Sequence, residues 1–376
     1  MHYKYNKISS PTVNDITVRV IFVIILMTRF ESHIIDVNGA FLLGRFDEED
    51  TIYMEIPDGF ESHFAPDDVI ELQVPIYGLK QSGRAFYKEW SKAAKHMNIE
   101  RNKINLCVFY KWSNEGLRII ASWVDDLMNV GEKEAINEMK SNLKKLFDCA
   151  DEGEMHEYVG CKLDINRDNR SMKITQPVLL QSYNDEFKLP TIKPKTPLPA
   201  GCIMSRGKSN ELISASMQKR YQSGTGKILH MSRWSRPESL NSVRETCRFA
   251  QGATKEQYDS VHRIMKYYHV TPKRGWYLRP KRTWDGKDKN FEFIILGKSD
   301  ETFASCPDTR RSTTGGSVFL EGAPVMCTSQ GQKYCALSVT ELSLIAAVTV
   351  AQHMLYIMNL LHAFELKVKL PMIIEN

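Results

Sequence analysis

Three aspartates are the residues in this sequence best suited to metal-assisted chemistry. Asp36 falls at the end of a predicted strand, and Asp125 and Asp126 fall together at the tip of a predicted hairpin. Brought together, three carboxylates at strand ends can hold two divalent cations. In such sites the ions lie about 3.5–4 Å apart and stabilise both the attacking and the leaving oxygen of a phosphoryl displacement. Magnesium, or manganese in its place, favours carboxylate, water and phosphate oxygens. An Asp-Asp pair in a turn is a weak signal alone, because Asp is common in turns for conformational reasons. Two further acids stand near the C-terminus: Asp300 in a predicted loop, and Glu341 near a helix start, where the helix dipole alone would suit it.

The elements that must position these side chains follow from hydrophobic period and turn residues. A helix is predicted over 11–27, with Pro11 in its first turn, then a strand over 33–37. Arms 117–124 and 127–130 form the hairpin around Asp125 and Asp126, and Gly131 ends it. The next helix covers 134–147, with Ile136, Met139, Leu143 and Leu146 on one face. A second hairpin pairs 158–165 with 172–175 around the turn 166–170, and 188–210, rich in Pro, Lys, Gly and Ser, reads as a linker. A mainly helical stretch covers 221–268, and 273–289 is polar and irregular. The last unit comprises strand 291–296, the loop with Asp300, strand 317–320, helix 340–364 and strand 368–374. In that helix Leu342, Leu344, Ile345, Val348, Met354 and Leu355 read as core. The fold class is α+β, and the chain divides into 1–190, 191–289 and 290–376.

Composition narrows the function classes. The 376 residues suffice for two or three domains, and 42% hydrophobic with 25% charged residues is ordinary for a globular chain. A net charge of +5 permits nucleic-acid contact without demanding it. The eight cysteines include no C-x-x-C pair, which argues against zinc and suits free thiols in a reducing compartment. The longest apolar run, 20–27, is too short to span a bilayer, so an intracellular protein, in the cytoplasm or nucleus and not secreted, is expected. The segment Tyr221-Gln222-Ser223-Gly224-Thr225-Gly226-Lys227 lacks the spacing of an ATPase phosphate loop.

Five blocks carry a resemblance: Ile35-Asp36-Val37-Asn38-Gly39-Ala40-Phe41-Leu42; Ile52-Tyr53-Met54-Glu55-Ile56-Pro57-Asp58-Gly59-Phe60; Tyr77-Gly78-Leu79-Lys80-Gln81-Ser82-Gly83; Trp123-Val124-Asp125-Asp126; and Tyr158-Val159-Gly160-Cys161-Lys162. In this order the chain resembles copia-type retrotransposon polyproteins, in their reverse transcriptase and ribonuclease H regions. Trp234-Ser235-Arg236-Pro237 continues the match. The resemblance implies a reverse-transcriptase palm and thumb followed by a ribonuclease H-like mixed sheet with helices. It implies that Asp36, Asp125 and Asp126 bind the metal ions, with Trp123 where Tyr or Phe is more usual. Phe41 takes the place of the ring that excludes a ribose 2′-hydroxyl; the alternative is ordinary core packing. Gln81 and Ser82 fall where template and incoming nucleotide are lined, or simply hold a loop. Lys162 and Lys173 fall where primer phosphates are met, or on a solvated strand edge.

Gly297-Lys298-Ser299-Asp300, then Thr309-Arg310-Arg311-Ser312-Thr313-Thr314-Gly315, Gln332-Lys333, Ala336-Leu337-Ser338 and Thr340-Glu341 resemble the ribonuclease H region. Asp300 and Glu341 match two of its metal-binding acids, and Arg310 and Arg311 fit a phosphate-facing or merely surface turn. The implied partners are an RNA or DNA template with its primer, an RNA–DNA hybrid, deoxynucleoside triphosphates and other segments of the polyprotein. Two departures are expected to weaken activity. The family's basic fingers should precede Ser10, where only Lys4 and Lys7 stand, and a third nuclease acid is expected just after the last strand, for which Glu375 is displaced. The rival expectation is an inactive remnant that at most binds nucleic acid.

Overall fold

The computed structural model describes residues 10–47 and 51–376, so Lys4 and Lys7 lie outside the described residues. The chain is mixed α and β and forms two compact units among the described residues, one from 10–14 and 30–155, the other from 15–29 and 156–376.

The first unit is built on a six-stranded sheet in the order Glu100–Arg101, Val108–Ser113, Gly116–Trp123, Asp126–Gly131, Glu31–Val37, Cys149–Glu154. Every neighbouring pair is antiparallel. Ile35, Val37, Phe109, Ile120 and Leu127 present one apolar face, covered by helices Ser82–His96 and Lys133–Leu146. The first contributes Phe86 and Trp90, whose ring meets Phe109 edge-on at 5.2 Å. The second contributes Met139 and Leu143 as expected, but Leu146 is 41% exposed. Phe147 takes its place against the core, because the backbone turns extended there and swings that ring inward.

The edge strand Cys149–Glu154 was not expected from the sequence. Its residues, Cys-Ala-Asp-Glu-Gly-Glu, have poor strand propensity and no apolar alternation. It pairs with Glu31–Val37 through a bulge at Ile34/Ile35, and its acidic side chains suit an edge that must not recruit another strand.

The second unit contains the helix Asp15–Thr28, which starts four residues later than the Pro11 start expected. Thr17 through Met27 are buried, including Arg19 at 1% exposure. The Arg19 guanidinium donates to Asp15 at 3.3 Å, to the Val325 carbonyl at 3.2 Å and to the Arg233 carbonyl, and lies 3.9 Å over the Trp276 ring. Burial pushes its pKa down, and the Asp15 carboxylate works against that shift. At the other end, Arg170 donates to the carbonyls of Leu26, at 3.4 Å, and Met27, supplying partners that the last turn of a helix lacks.

A four-stranded sheet runs in the order Trp276–Leu278, Ser171–Thr175, Cys161–Asn166, Glu157–Tyr158. The stretch 273–289 is therefore not wholly irregular: its one apolar triplet, Trp-Tyr-Leu, pairs with Met172 to Ile174. Helices Pro177–Glu186, Ala215–Trp234, Leu240–Cys247 and Lys255–Val270 share a core that includes Tyr183, Tyr221, Ile228, Val243, Ile264 and Tyr268.

The last sheet orders Ala323–Gly331, Thr313–Leu320, Ile295–Thr302 and Ile373–Glu375, with only the final pair parallel. Ala323–Gly331 was not anticipated. The expected strand 368–374 is two short pieces, Lys367–Val368 and Ile373–Glu375, separated by Pro371, which has no N–H to give a ladder. Helix Val339–His362 lies hard against this sheet. A Cβ on Gly297 would come within 2.6 Å of the Met354 sulfur, and one on Gly316 within 2.6 Å of Val350. The helix is long and apolar enough, by composition, to cross a membrane, yet Leu342, Ala346, Val350, Met354, Ile357, Leu360 and Leu361 are buried within the fold. Leu344, Val348 and Leu355, expected in the core, are exposed, because one helix can turn only part of its circumference to one sheet.

Candidate active site

At one end of the six-stranded sheet the three aspartates come together. Asp36 and Asp126 are directly opposed on neighbouring strands, and Trp123 faces Asp126 from the other side. Opposed residues in an antiparallel pair project to the same face with Cβ atoms about 4.5–5.5 Å apart. Ile35 and Leu127 point to the helices, so Asp36 and Asp126 point away from them. Only Val124 and Asp125 separate the paired Trp123 and Asp126, and Val37 donates its N–H to the Asp125 carbonyl at 3.2 Å. Val124 has φ of +58°, a region costly for a β-branched residue. That strain is spent on a two-residue turn that holds Asp125 beside the opposed pair.

Electrostatics agree with this proximity. Burial, then the charges of Asp125, Asp36 and Glu152, push the Asp126 carboxyl up to about 6. Asp36 is raised in the same direction by burial and by Asp125. Glu152, on the unexpected acidic edge strand, is a contributor that sequence reasoning missed, since nothing in Cys-Ala-Asp-Glu-Gly-Glu announces a strand. The donors are all hard carboxylate oxygens that repel one another, which is the chemistry a divalent cation relieves. Among the described residues no three His, Cys, Asp or Glu side chains form a finished metal cage, so the set is a cluster of opposed acids.

Phe41 sits in the short 3₁₀ turn Ala40–Leu43 that follows the strand of Asp36, half-buried against the same core, its ring 4.8 Å from that of Tyr77. Gln81 is the N-cap residue of helix Ser82–His96, and its side chain makes no capping bond. Ser82 is 1% exposed and donates to the Ile76 carbonyl at 2.6 Å, so its hydroxyl holds the 77–81 loop from beneath.

The remaining candidates lie in the second unit. Lys162 is exposed and pairs with Asp164 at 3.6 Å, while Lys173 stands half-buried on the adjoining strand. Arg310 and Arg311 are exposed in the turn before Thr313–Leu320, with Arg310 at φ +54°. Asp300 is within strand Ile295–Thr302, not in a loop. Strand alternation separates it from the helix: Gly297 and Gly316 face Val339–His362, so Asp300 faces away. Glu301, which sequence reasoning passed over, faces the helix and accepts a hydrogen bond from Ser343. Glu341 accepts from the Leu337 N–H at 2.7 Å while its own N–H donates to Ser338, a closed cap at the helix start. The structure thus gathers Asp36, Asp125 and Asp126, and does not turn Asp300 toward the helix of Glu341.

Residues 1–199 match the family model described as reverse transcriptase (RNA-dependent DNA polymerase). The chain belongs to the reverse transcriptase family. Curated relatives extend the similarity beyond that segment. A retrovirus-related Pol polyprotein from transposon TNT 1-94 of Nicotiana tabacum is 29% identical over 97% of this chain. Those from transposons RE1 and RE2 of Arabidopsis thaliana are 24% and 22% identical over 98% of it. The chain spans about a quarter of the length of these relatives: 27%, 24% and 24%. It is thus similar to the reverse transcriptase region of copia-type Pol polyproteins, as the five sequence blocks implied.

Proposed function

We propose that this chain is an RNA-directed DNA polymerase of a copia-type retrotransposon, adding deoxynucleotides to a primer 3′-hydroxyl on an RNA or DNA template. The observation that carries the reading is the register opposing Asp36 to Asp126, with Asp125 in the adjoining turn, in a chain of this family. Asp36, Asp125 and Asp126 would hold magnesium or manganese ions, which when bound neutralise charge on the transferring phosphoryl group. Raised proton affinity at Asp126 keeps it partly neutral below about pH 6, so the site gathers its full negative charge only above that. Phe41, in the turn that follows the strand of Asp36 and tilted 58° against the ring of Tyr77, offers an aromatic face suited to packing under a sugar that lacks a 2′-hydroxyl. Gln81 projects from the loop that Ser82 anchors, and is the better placed of the two to meet a nucleotide. Lys162 and Lys173 fit primer phosphates as point charges. In this reading residues 1–190 serve as palm and start of thumb, 191–289 as connection, and 290–376 as a ribonuclease H-like region. The protein works inside the cell.

The test is primer extension on poly-rA with oligo-dT and magnesium. Extension that disappears in Asp36→Asn and in Asp125→Asn supports the proposal; extension that survives either change rejects it. A second reading applies to the last region. With Glu341 closed into its own helix cap and Asp300 turned to the other face, we infer a ribonuclease H-like region with little hydrolytic activity. Brisk cleavage of a labelled RNA–DNA hybrid, lost in Asp300→Asn, would overturn it.

A further inference from the structure

A cavity of about 380 Å³ lies within the second unit, and none of the residues assigned a role above lines it. Its wall brings together Gln176, Ser235, Arg236, His269 and Arg274, and no carboxylate among the described residues lines it. Leu180, Met231 and two prolines supply the apolar remainder. We propose that this cavity binds a phosphoryl group, carried on a ligand of about nucleotide size.

Four features of the wall favour an anion. Arg236 is 3% exposed and held in place from behind: Glu238 accepts from Nε at 2.7 Å, and the Thr271 hydroxyl and carbonyl accept from the two Nη atoms at 2.6 and 3.3 Å. Five N–H donors serve those three acceptors, so the guanidinium keeps donors to spare and is locked by Tyr267 and Tyr268, over whose rings it lies at 5.2 and 4.8 Å. Arg274 donates to the Tyr267 hydroxyl at 2.8 Å and makes no ion pair among the described residues, so its charge is uncompensated. Among the described residues, Glu238 is thus the one acid engaged with the two arginines.

Gln176 is the independent observation. It is 4% exposed, and its carbonyl oxygen accepts from the Ser235 hydroxyl at 2.8 Å. That bond fixes the amide plane and leaves the amide nitrogen without a partner among the described residues, on the cavity wall. That nitrogen is not among the side-chain atoms sealed from solvent without a partner, so it is reachable from the cavity and free to donate to a bound acceptor. Gln176 is also the N-cap residue of helix Pro177–Glu186, where no side chain caps the first turn. Pro177 has no N–H to offer and neither Val178 nor Leu179 lines the cavity, so the helix contributes the positive end of its dipole there. Donors and positive charge therefore converge from three elements on one half-open cavity, whose volume is within the usual range for a small-molecule pocket.

The group bound is a phosphate ester in either of two sources, a free mononucleotide or the backbone of an oligonucleotide. Calorimetric titration of the full chain with inorganic phosphate, with dAMP and with a short single-stranded oligodeoxynucleotide separates them. Saturable binding of phosphate or dAMP, weakened about tenfold in Arg274→Gln, assigns the cavity to a small ligand. Binding of the oligonucleotide with no binding of phosphate or dAMP, weakened about tenfold in Arg274→Gln, assigns it to a backbone phosphate. Gln176→Leu weakens whichever ligand binds without changing its salt dependence, because no charge is lost. Arg274 is exposed, so its replacement is expected to leave the fold intact, as circular dichroism would check. If none of the three ligands binds, or if binding is the same in Arg274→Gln and Gln176→Leu as in the parent, the proposal fails. Because no residue of the aspartate cluster is involved, this result is independent of the primer-extension outcome.

Discussion

Replacing Asp126 by Asn is expected to stabilise the protein, although it removes a residue from the proposed catalytic cluster. The carboxyl moves from 3.8 to about 6 on folding, pushed first by burial and then by Asp125, Asp36 and Glu152. A shift of about 2 units corresponds to roughly 3 kcal/mol before screening. Asp126 is half-exposed, so solvent reduces this to about 1.5 kcal/mol. The sign follows from proton linkage. The folded state holds the Asp126 proton more tightly than the unfolded chain, so this group costs nothing below about pH 4, and its penalty grows as pH rises toward about 6 and stays constant above. Asn carries no charge and avoids the penalty throughout. Thermal melting should therefore place Asp126→Asn about 4 °C above the parent at neutral pH, with the gap closing near pH 4. Magnesium should narrow the gap at neutral pH by stabilising the parent, because a cation binds the native cluster and not the unfolded chain. A variant that melts at or below the parent at neutral pH, or a gap that is the same at both pH values, would refute the reasoning about repulsion at this site.

Other changes test other parts of the fold. Val124→Gly should stabilise by about 1 kcal/mol in urea denaturation, since it removes a β-branched side chain from φ of +58°. Gly297→Ala should cost about 1–3 kcal/mol, because the new methyl meets the Met354 sulfur, and Met354→Ala should recover part of the loss. Arg19→Met should be tolerated far better than Asp15→Ala, which leaves the buried guanidinium without its carboxylate and should cost about 3–5 kcal/mol, read as a fall in melting temperature.

How far the sequence revealed the site depended on what kind of signal each residue gave. The hairpin around Asp125 and Asp126 was legible because alternating apolar arms flank it, and the strand before it carries Asp36 in a block that resembles the family. Glu152 was illegible because its strand is formed by pairing alone: an acidic, glycine-bearing edge has no pattern to read until its neighbour is present. Asp300 was legible as a motif residue, but the face it projects from depends on a one-residue difference in register, which motif matching does not resolve. The strands Trp276–Leu278 and Ala323–Gly331 escaped notice for opposite reasons, the first being short within a polar stretch and the second lacking alternation. Ser82 shows how a motif position can be structural: its hydroxyl is consumed by Ile76.

The helix Asp15–Thr28 has a consequence for biosynthesis. Its Arg19 finds the Val325 carbonyl 306 residues further along the chain. At synthesis rates of about 5–20 residues per second, a stretch containing Val20-Ile21-Phe22-Val23-Ile24-Ile25-Leu26 waits roughly 15–60 s outside the ribosome before its permanent neighbours exist. That apolar segment lacks part of its final cover for all of that interval, so chaperones that shield it until Val325 has been translated are expected to raise the yield of folded chain.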